Sequence, residues 1–219
     1  MATRIYLRNT ANSLSNLPTT KQSTRATVGN AQATTVNKNL LTTAGTSQTS
    51  IAISIGSGYT YIGRWVSDVL GNSSIAANTW TFSFGYDSFW GSSDNGMQIC
   101  IYVWRPGTGK VANVCDTSVA QAYNGSENGY KLTVAGSAIA SISTGIDVLC
   151  VEFMSNGSLA GGNANFYYDG TTAVTTNDTA ASSVASYIET PESLTFGVIP
   201  GVTATPTGKA ITNKVIVHG

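Results

Sequence analysis

Apolar side chains in this chain fall on alternate residues over several short stretches. Residues 79–86 show it most clearly: Trp80, Phe82, Phe84 and Tyr86 share one face, and Thr81, Ser83 and Gly85 share the other. A period of two is the mark of a half-buried strand. Residues 49–55 alternate in the same way, and residues 59–67 place Tyr59, Tyr61 and Trp65 together. Residues 97–104 are apolar on both faces, the pattern of a central strand, and residues 147–154 predict another strong one. Shorter strands are predicted at 3–7, 111–115, 130–135, 138–142, 164–168, 184–188, 193–199 and 210–217. Turn signals separate them at Pro106-Gly107-Thr108-Gly109, Asn156-Gly157, Asp169-Gly170 and Pro200-Gly201. No helical period of ten residues and no internal repeat is present. Many short strands with regular turns predict a sandwich or jelly roll. Trp80, Phe82, Phe84, Ile99, Ile101, Val103, Leu149, Val151 and Phe153 are its expected core.

Between Tyr6 and Tyr59 the chain has no aromatic residue, and its apolar positions there (Leu14, Leu17, Val28, Val36, Leu40, Leu41) show no sustained period. Residues 8–48 therefore read as an extended arm, because so long a structureless loop is uncommon inside a compact domain. Three parts are expected: a first strand and arm (1–48), a sandwich body (49–199) and a C-terminal tail (200–219) with an added strand.

Composition agrees with β structure. Ser, Thr, Asn and Gly make up 95 of the 219 residues, and charged residues only 10%, against about 25% in ordinary domains. The charges are segregated. Residues 1–67 hold six bases and no acid, while residues 68–200 hold eleven acids against three bases, a net −8. Arg8, Lys21, Arg25 and Lys38 of the arm thus complement the acidic body, and an assembly role for them is expected through attraction between copies. The N-terminus shows no basic-then-apolar leader, so cytosolic synthesis without a signal peptide is expected. No run approaches the length of a membrane span. Cys100, Cys115 and Cys150 are widely spaced and read as buried small hydrophobes.

The order Arg64-Trp65-Val66-Ser67, Trp80-Thr81-Phe82-Ser83-Phe84, Ile101-Tyr102-Val103-Trp104-Arg105-Pro106, Val151-Glu152-Phe153 and Phe166-Tyr167-Tyr168-Asp169-Gly170 resembles a jelly-roll sandwich, with a close similar to that of carbohydrate-binding modules. Over residues 1–197, including Ala2-Thr3-Arg4-Ile5-Tyr6-Leu7, the chain resembles uncharacterised structural proteins of tailed bacteriophages. The resemblance implies a virion component, such as a capsid decoration (cement) protein or a tail accessory, and brings no catalytic motif with it.

Candidate chemistry is sparse. The single histidine is His218, next to the end of the sequence, a poor place to fix a base. A glycosidase needs two carboxylates across a cleft. Glu152 with Asp147 or Asp169 is the pair to consider, although Glu152 in a strand reads better as an outward or paired residue. Pro106-Gly107-Thr108-Gly109-Lys110 and Thr207-Gly208-Lys209-Ala210 lack phosphate-loop spacing. One histidine and no close cysteine pair exclude an ordinary zinc site. Asp87, Asp94 and Asn95 share the 86–96 loop and offer calcium-type oxygens, but Asp and Asn there also serve simply as turn formers. In that loop Phe89 and Trp90 break the alternation and, with Asp87 and Asp94, form the candidate interface or glycan contact. The basic residues are too dilute for a nucleic-acid surface.

The sequence reading is thus an all-β, jelly-roll-like antiparallel β-sandwich with an N-terminal arm and a C-terminal tail. The expected role is a non-enzymatic virion protein without a cofactor, its partners being its own copies and other capsid or tail proteins, with no nucleic acid and no membrane. A composition of extracellular type without an export leader fits a virion protein released by lysis. The alternative is a carbohydrate-binding module or adhesin head that recognises a cell-surface glycan.

Overall fold

The computed structural model describes residues 2–24, 37–55, 58–88, 96–120, 127–157, 162–174, 176 and 179–197. They form twelve strands: β1 (Arg4–Ala11), β2 (Asn37–Leu41), β3 (Thr49–Ile55), β4 (Gly58–Val69), β5 (Asn78–Ser88), β6 (Gly96–Arg105), β7 (Gly109–Ala120), β8 (Asn128–Gly136), β9 (Val148–Gly157), β10 (Gly162–Tyr168), β11 (Thr179–Ala180) and β12 (Tyr187–Glu189). Among the described residues, no helix is long and apolar enough to cross a membrane.

Eight of these strands make a jelly roll. The first sheet runs β3-β10-β5-β8 and the second β4-β9-β6-β7, antiparallel throughout. Along the chain each connection from β3 to β10 crosses between sheets, except the β6–β7 hairpin. That hairpin turns through Gly107 (φ 78°) and Gly109 (φ 124°), a left-handed backbone suited to glycine. The remaining strands close one side. β12 pairs with the first half of β5 and with β1, β1 pairs with β2, and β2 runs parallel to β4 in the second sheet. The two-residue β11 extends β8.

The core lies where the sheets face each other. Phe82 and Phe84 of β5 meet Phe153 of β9 at ring-centroid distances of 6.0 and 6.4 Å, and Trp65 of β4 meets Phe166 and Tyr168 of β10 at 5.8 and 5.4 Å. All nine expected core residues are buried. Each such side chain contributes about 1.5–3 kcal/mol by leaving water. Cys100, Cys115 and Cys150 are buried and free, as expected.

Three expectations change. Residues 138–142 and 193–197, the described part of the predicted strand at 193–199, are not strands and make only single bridges, Ile75 to Ile139 and Leu70 to Phe196. The predicted strand at 210–217 lies outside the described residues. The described parts of 8–48 are not a free arm: 8–11 complete β1, 37–41 form β2, and 12–24 lie as a strap across the outer face of the second sheet. The physical reason is that the outer face of β4, β6 and β9 carries Val66, Cys100, Tyr102, Val148 and Cys150, which Leu14 and Leu17 of the strap cover.

Candidate functional site

The densest polar constellation lies beneath the strap. Antiparallel pairing of β4 and β9 sets Arg64 opposite Glu152, and β6 sets Cys100 opposite Glu152 and Tyr102 opposite Cys150. These residues share the outer face, since the alternate positions Ile99, Ile101, Val151 and Phe153 fill the core. Arg64 donates from Nε to Glu152 Oε1 at 2.8 Å, and its Nη2 lies 2.7 Å from the same oxygen. It also donates to the main-chain carbonyls of Pro18 and Thr20, each at 2.5 Å. Glu152 further accepts from the Tyr102 hydroxyl (2.9 Å) and from the strap N–H groups of Gln22 (2.9 Å) and Ser23 (3.2 Å).

Asp116 on β7 holds the strap's far end. It accepts from the Thr24 N–H (2.7 Å), the Thr24 and Ser23 hydroxyls (2.8 Å each) and Gln98 Nε2 (2.5 Å). Burial alone would raise its pKa, but these hydrogen bonds outweigh it and hold the carboxyl below its ordinary value. Burial would likewise lower Arg64, yet Tyr102, Tyr61 and Glu152 keep it above the usual guanidinium range. Nearer the strap's start, Leu14 and Leu17 pack on Val66, Cys100, Tyr102, Val148 and Cys150. The indole of Trp104 donates to the Asn16 carbonyl at 2.9 Å. Burial pushes the Cys115 thiol up to about 12 and drives Cys100 and Cys150 higher still, so all three stay protonated near neutrality. The ensemble fastens a peptide segment: its carboxylates accept from main-chain N–H groups and its guanidinium donates to main-chain carbonyls.

The carboxylates weighed for a two-acid cleft are not brought together. Asp147 is held by Arg105 (2.7 and 2.9 Å) and the Ser143 N–H (2.7 Å). Asp169 is held by Arg8 Nε (2.5 Å) and the Asn9 N–H (3.2 Å). Glu152 lies in a third place, under the strap.

Asp87 sits at the end of β5. Its Oδ1 accepts from the Asn165 N–H at 2.6 Å, and its Oδ2 from the Tyr167 hydroxyl at 2.6 Å. Burial, then the hydrogen bond to Asp87, raises the Tyr167 hydroxyl above its ordinary pKa. Gln48 donates to Glu127 at 2.5 Å, and the Glu127 charge also acts on Tyr167. Asp87, Asn165, Tyr167, Glu127 and Gln48 thus form a polar patch with one aromatic ring. The sequence reading missed the last four, although the pair Tyr167-Tyr168 carried a signal: in a strand, one ring must point in and the other out. Phe89, Trp90 and Asp94 lie outside the described residues.

The cations expected to reach other copies have partners within the chain. Besides Asp169, Arg8 donates to the carbonyls of Thr43 and Ala44 at 3.1 Å each. Lys38 donates to Asn9 Oδ1 (2.9 Å) and the Tyr168 hydroxyl (2.5 Å). Lys21 reaches the Ser23 carbonyl at 3.5 Å. Arg25 lies outside the described residues. The basic head and acidic body therefore meet inside one molecule, at Arg8–Asp169, Arg64–Glu152 and Arg4–Glu189. An open groove of about 490 Å³ between the end of β2 and residues 194–196 is lined by Leu40, Asp68, Leu194 and Phe196 among others.

No protein-family model matches the chain, and no curated protein matches it. Solved structures do. A chain in the structure of infectious bursal disease virus Gx strain is 14% identical over 73% of this chain and 43% of its own length, with a TM-score of 0.29. A chain in the Gt strain structure is 12% identical over 79% of this chain and 48% of its own length, with a TM-score of 0.31. This chain spans less than half the length of either. With TM-scores this low, neither likeness bears on function.

Proposed function

We infer that this protein is a non-enzymatic structural component of a tailed-bacteriophage particle, a capsid decoration (cement) or accessory protein, with its own copies and other virion proteins as partners. One observation carries the non-enzymatic part of the reading. The carboxylates that a catalyst would use (Glu152, Asp116, Asp147, Asp169 and Asp87) each accept hydrogen bonds from this chain's own backbone or side chains. A carboxylate so engaged builds architecture and is poorly placed to move substrate protons. The jelly roll, a frame known from capsid and lectin domains, supports the class by analogy of fold, and the Ser/Thr/Asn-rich, charge-poor composition agrees. The test is quantitative mass spectrometry of gradient-purified particles from the producing culture. A fixed copy number per particle is expected, and a protein confined to the soluble fraction would refute the reading.

A second reading, glycan recognition, is favoured by the patch of Asp87, Asn165 and Tyr167, whose Asp87 lies just before Phe89 and Trp90 in the sequence. An aromatic ring beside polar side chains can stack on a sugar while hydrogen-bonding its hydroxyls. Glycan-array binding lost in Tyr167→Ala would establish it, and a blank array would leave the structural reading alone.

A further inference from the structure

Lys38 on β2 and Asn9 on β1 meet across the paired strands β1 and β2. The Lys38 ammonium lies 2.9 Å from Asn9 Oδ1, and the Tyr168 hydroxyl donates to that same oxygen at 2.8 Å. The Tyr168 oxygen is in turn 2.5 Å from Lys38 Nζ. A lysine nitrogen, an amide carbonyl and a phenol therefore meet at one point. Tyr168 is fixed by burial of its ring against Trp65 at 5.4 Å. The main chain of Asn9 is held through its N–H, which donates to Asp169. Asp169 adopts a left-handed backbone (φ 65°) and turns both carboxylate oxygens onto β1, one to Arg8 and one to Asn9.

We propose that Lys38 and Asn9 condense without an added enzyme into an isopeptide, a side-chain amide that staples β1 to β2. The neutral Lys38 amine adds to Asn9 Cγ and forms the new C–N bond. The negative charge that develops on Oδ1 is met by the Tyr168 O–H already aimed at it, the role of an oxyanion donor. The amine then gives up a proton, through the Tyr168 oxygen, to Nδ2. The Cγ–Nδ2 bond breaks and ammonia departs. One amine and one primary amide become one secondary amide and one ammonia, with no change of oxidation state. The solvent-facing side chain of Asn9 gives ammonia an exit. Holding the two groups in contact supplies the proximity that a slow acyl transfer needs.

The protonation states suit the step. Burial lowers the Lys38 pKa against the opposing effect of Asp169, which enlarges the neutral fraction. Burial, then the Asp169 charge, pushes the Tyr168 hydroxyl up to about 12, so it remains a donor. The product would close residues 9–38, strap included, into a covalent loop. Such a staple suits a chain whose three cysteines are free and buried.

Intact-mass spectrometry of the purified full chain, aged at mildly alkaline pH and then denatured, tests this. The wild type is expected to fall short of its sequence mass by one ammonia. A branched peptide joining the segments around Asn9 and Lys38 should appear in the digest. Asn9→Ala and Lys38→Arg should show full mass and no branched peptide, and Tyr168→Phe should form the link at least tenfold more slowly. Asn-Gly sites such as Asn156-Gly157 can lose ammonia on their own. A loss that persists in Lys38→Arg would therefore overturn the proposal, as would full mass in the aged wild type. Lys38→Arg keeps the cation, and its thermal melt shows whether it remains folded.

Discussion

Replacing Glu152 by Gln isolates the latch beneath the strap. Both members of the Arg64–Glu152 pair are shielded from water, with side-chain exposures of 3% and 0%. The substitution leaves the Arg64 cation buried without its counter-charge. It also turns part of an acceptor into an amide donor facing the N–H groups of Gln22 and Ser23 and the Tyr102 hydroxyl. Removing one partner of a buried pair costs about 3–5 kcal/mol. For a chain of this size, each kcal/mol lowers Tm by about 2–4 °C, so a fall on the order of 6–20 °C is expected. The assay is thermal unfolding by circular dichroism, with hydrogen exchange at Gln22 and Ser23 read alongside. The control is Glu189→Gln, which breaks the exposed pair with Arg4 (side-chain exposures 48% and 32%) and should cost less than about 1 kcal/mol. If Glu152→Gln melts no lower than Glu189→Gln, the buried pair does not fasten the strap and the reasoning fails.

Other outcomes follow from the same geometry. Phe82→Ala should lose about 3–5 kcal/mol, and an unchanged melt would remove Phe82 from the inter-sheet core. Deleting residues 14–24 should uncover Cys100, Tyr102 and Cys150, so that two thiols silent in the native protein react with a thiol reagent before global unfolding; continued silence would show that the strap is not their cover. Asp116 has a lowered folded pKa. It therefore contributes stability above its unfolded value of about 3.9, a contribution lost as pH falls through the lower folded value. Melts recorded from about pH 6 to 3 should decline less steeply in Asp116→Asn than in the wild type, and equal slopes would contradict the assignment.

What the sequence disclosed and what it concealed follow from where the information lies. The alternation in β5 reports one buried face directly, and its four aromatics are core. The doubly apolar β6 was legible as a central strand, but the identity of its second cover was not. The strap makes its contacts largely through main-chain N–H and C=O groups, which any side chains permit, so residues 18–24 carry no period. β2 escaped notice because Asn37-Lys38-Asn39 are polar and only Leu40 is buried; it is set by parallel pairing to β4, a long-range fact. The complementarity of basic head and acidic body was visible, yet charge signs cannot say whether partners lie in one copy or two. Glu152 was readable as a paired residue, but its partner depends on the β4–β9 register, which no local pattern encodes.

We propose that the jelly roll, closed by its own strap, is a building block of a virus particle. A cryo-electron-microscopy map of purified particles tests both parts at once. The account predicts copies of the jelly roll at fixed lattice or tail positions, each with residues 12–24 on its own second sheet and continuous density from Arg64 to Glu152. Particles without such copies, or a strap crossing to a neighbouring subunit, would contradict it.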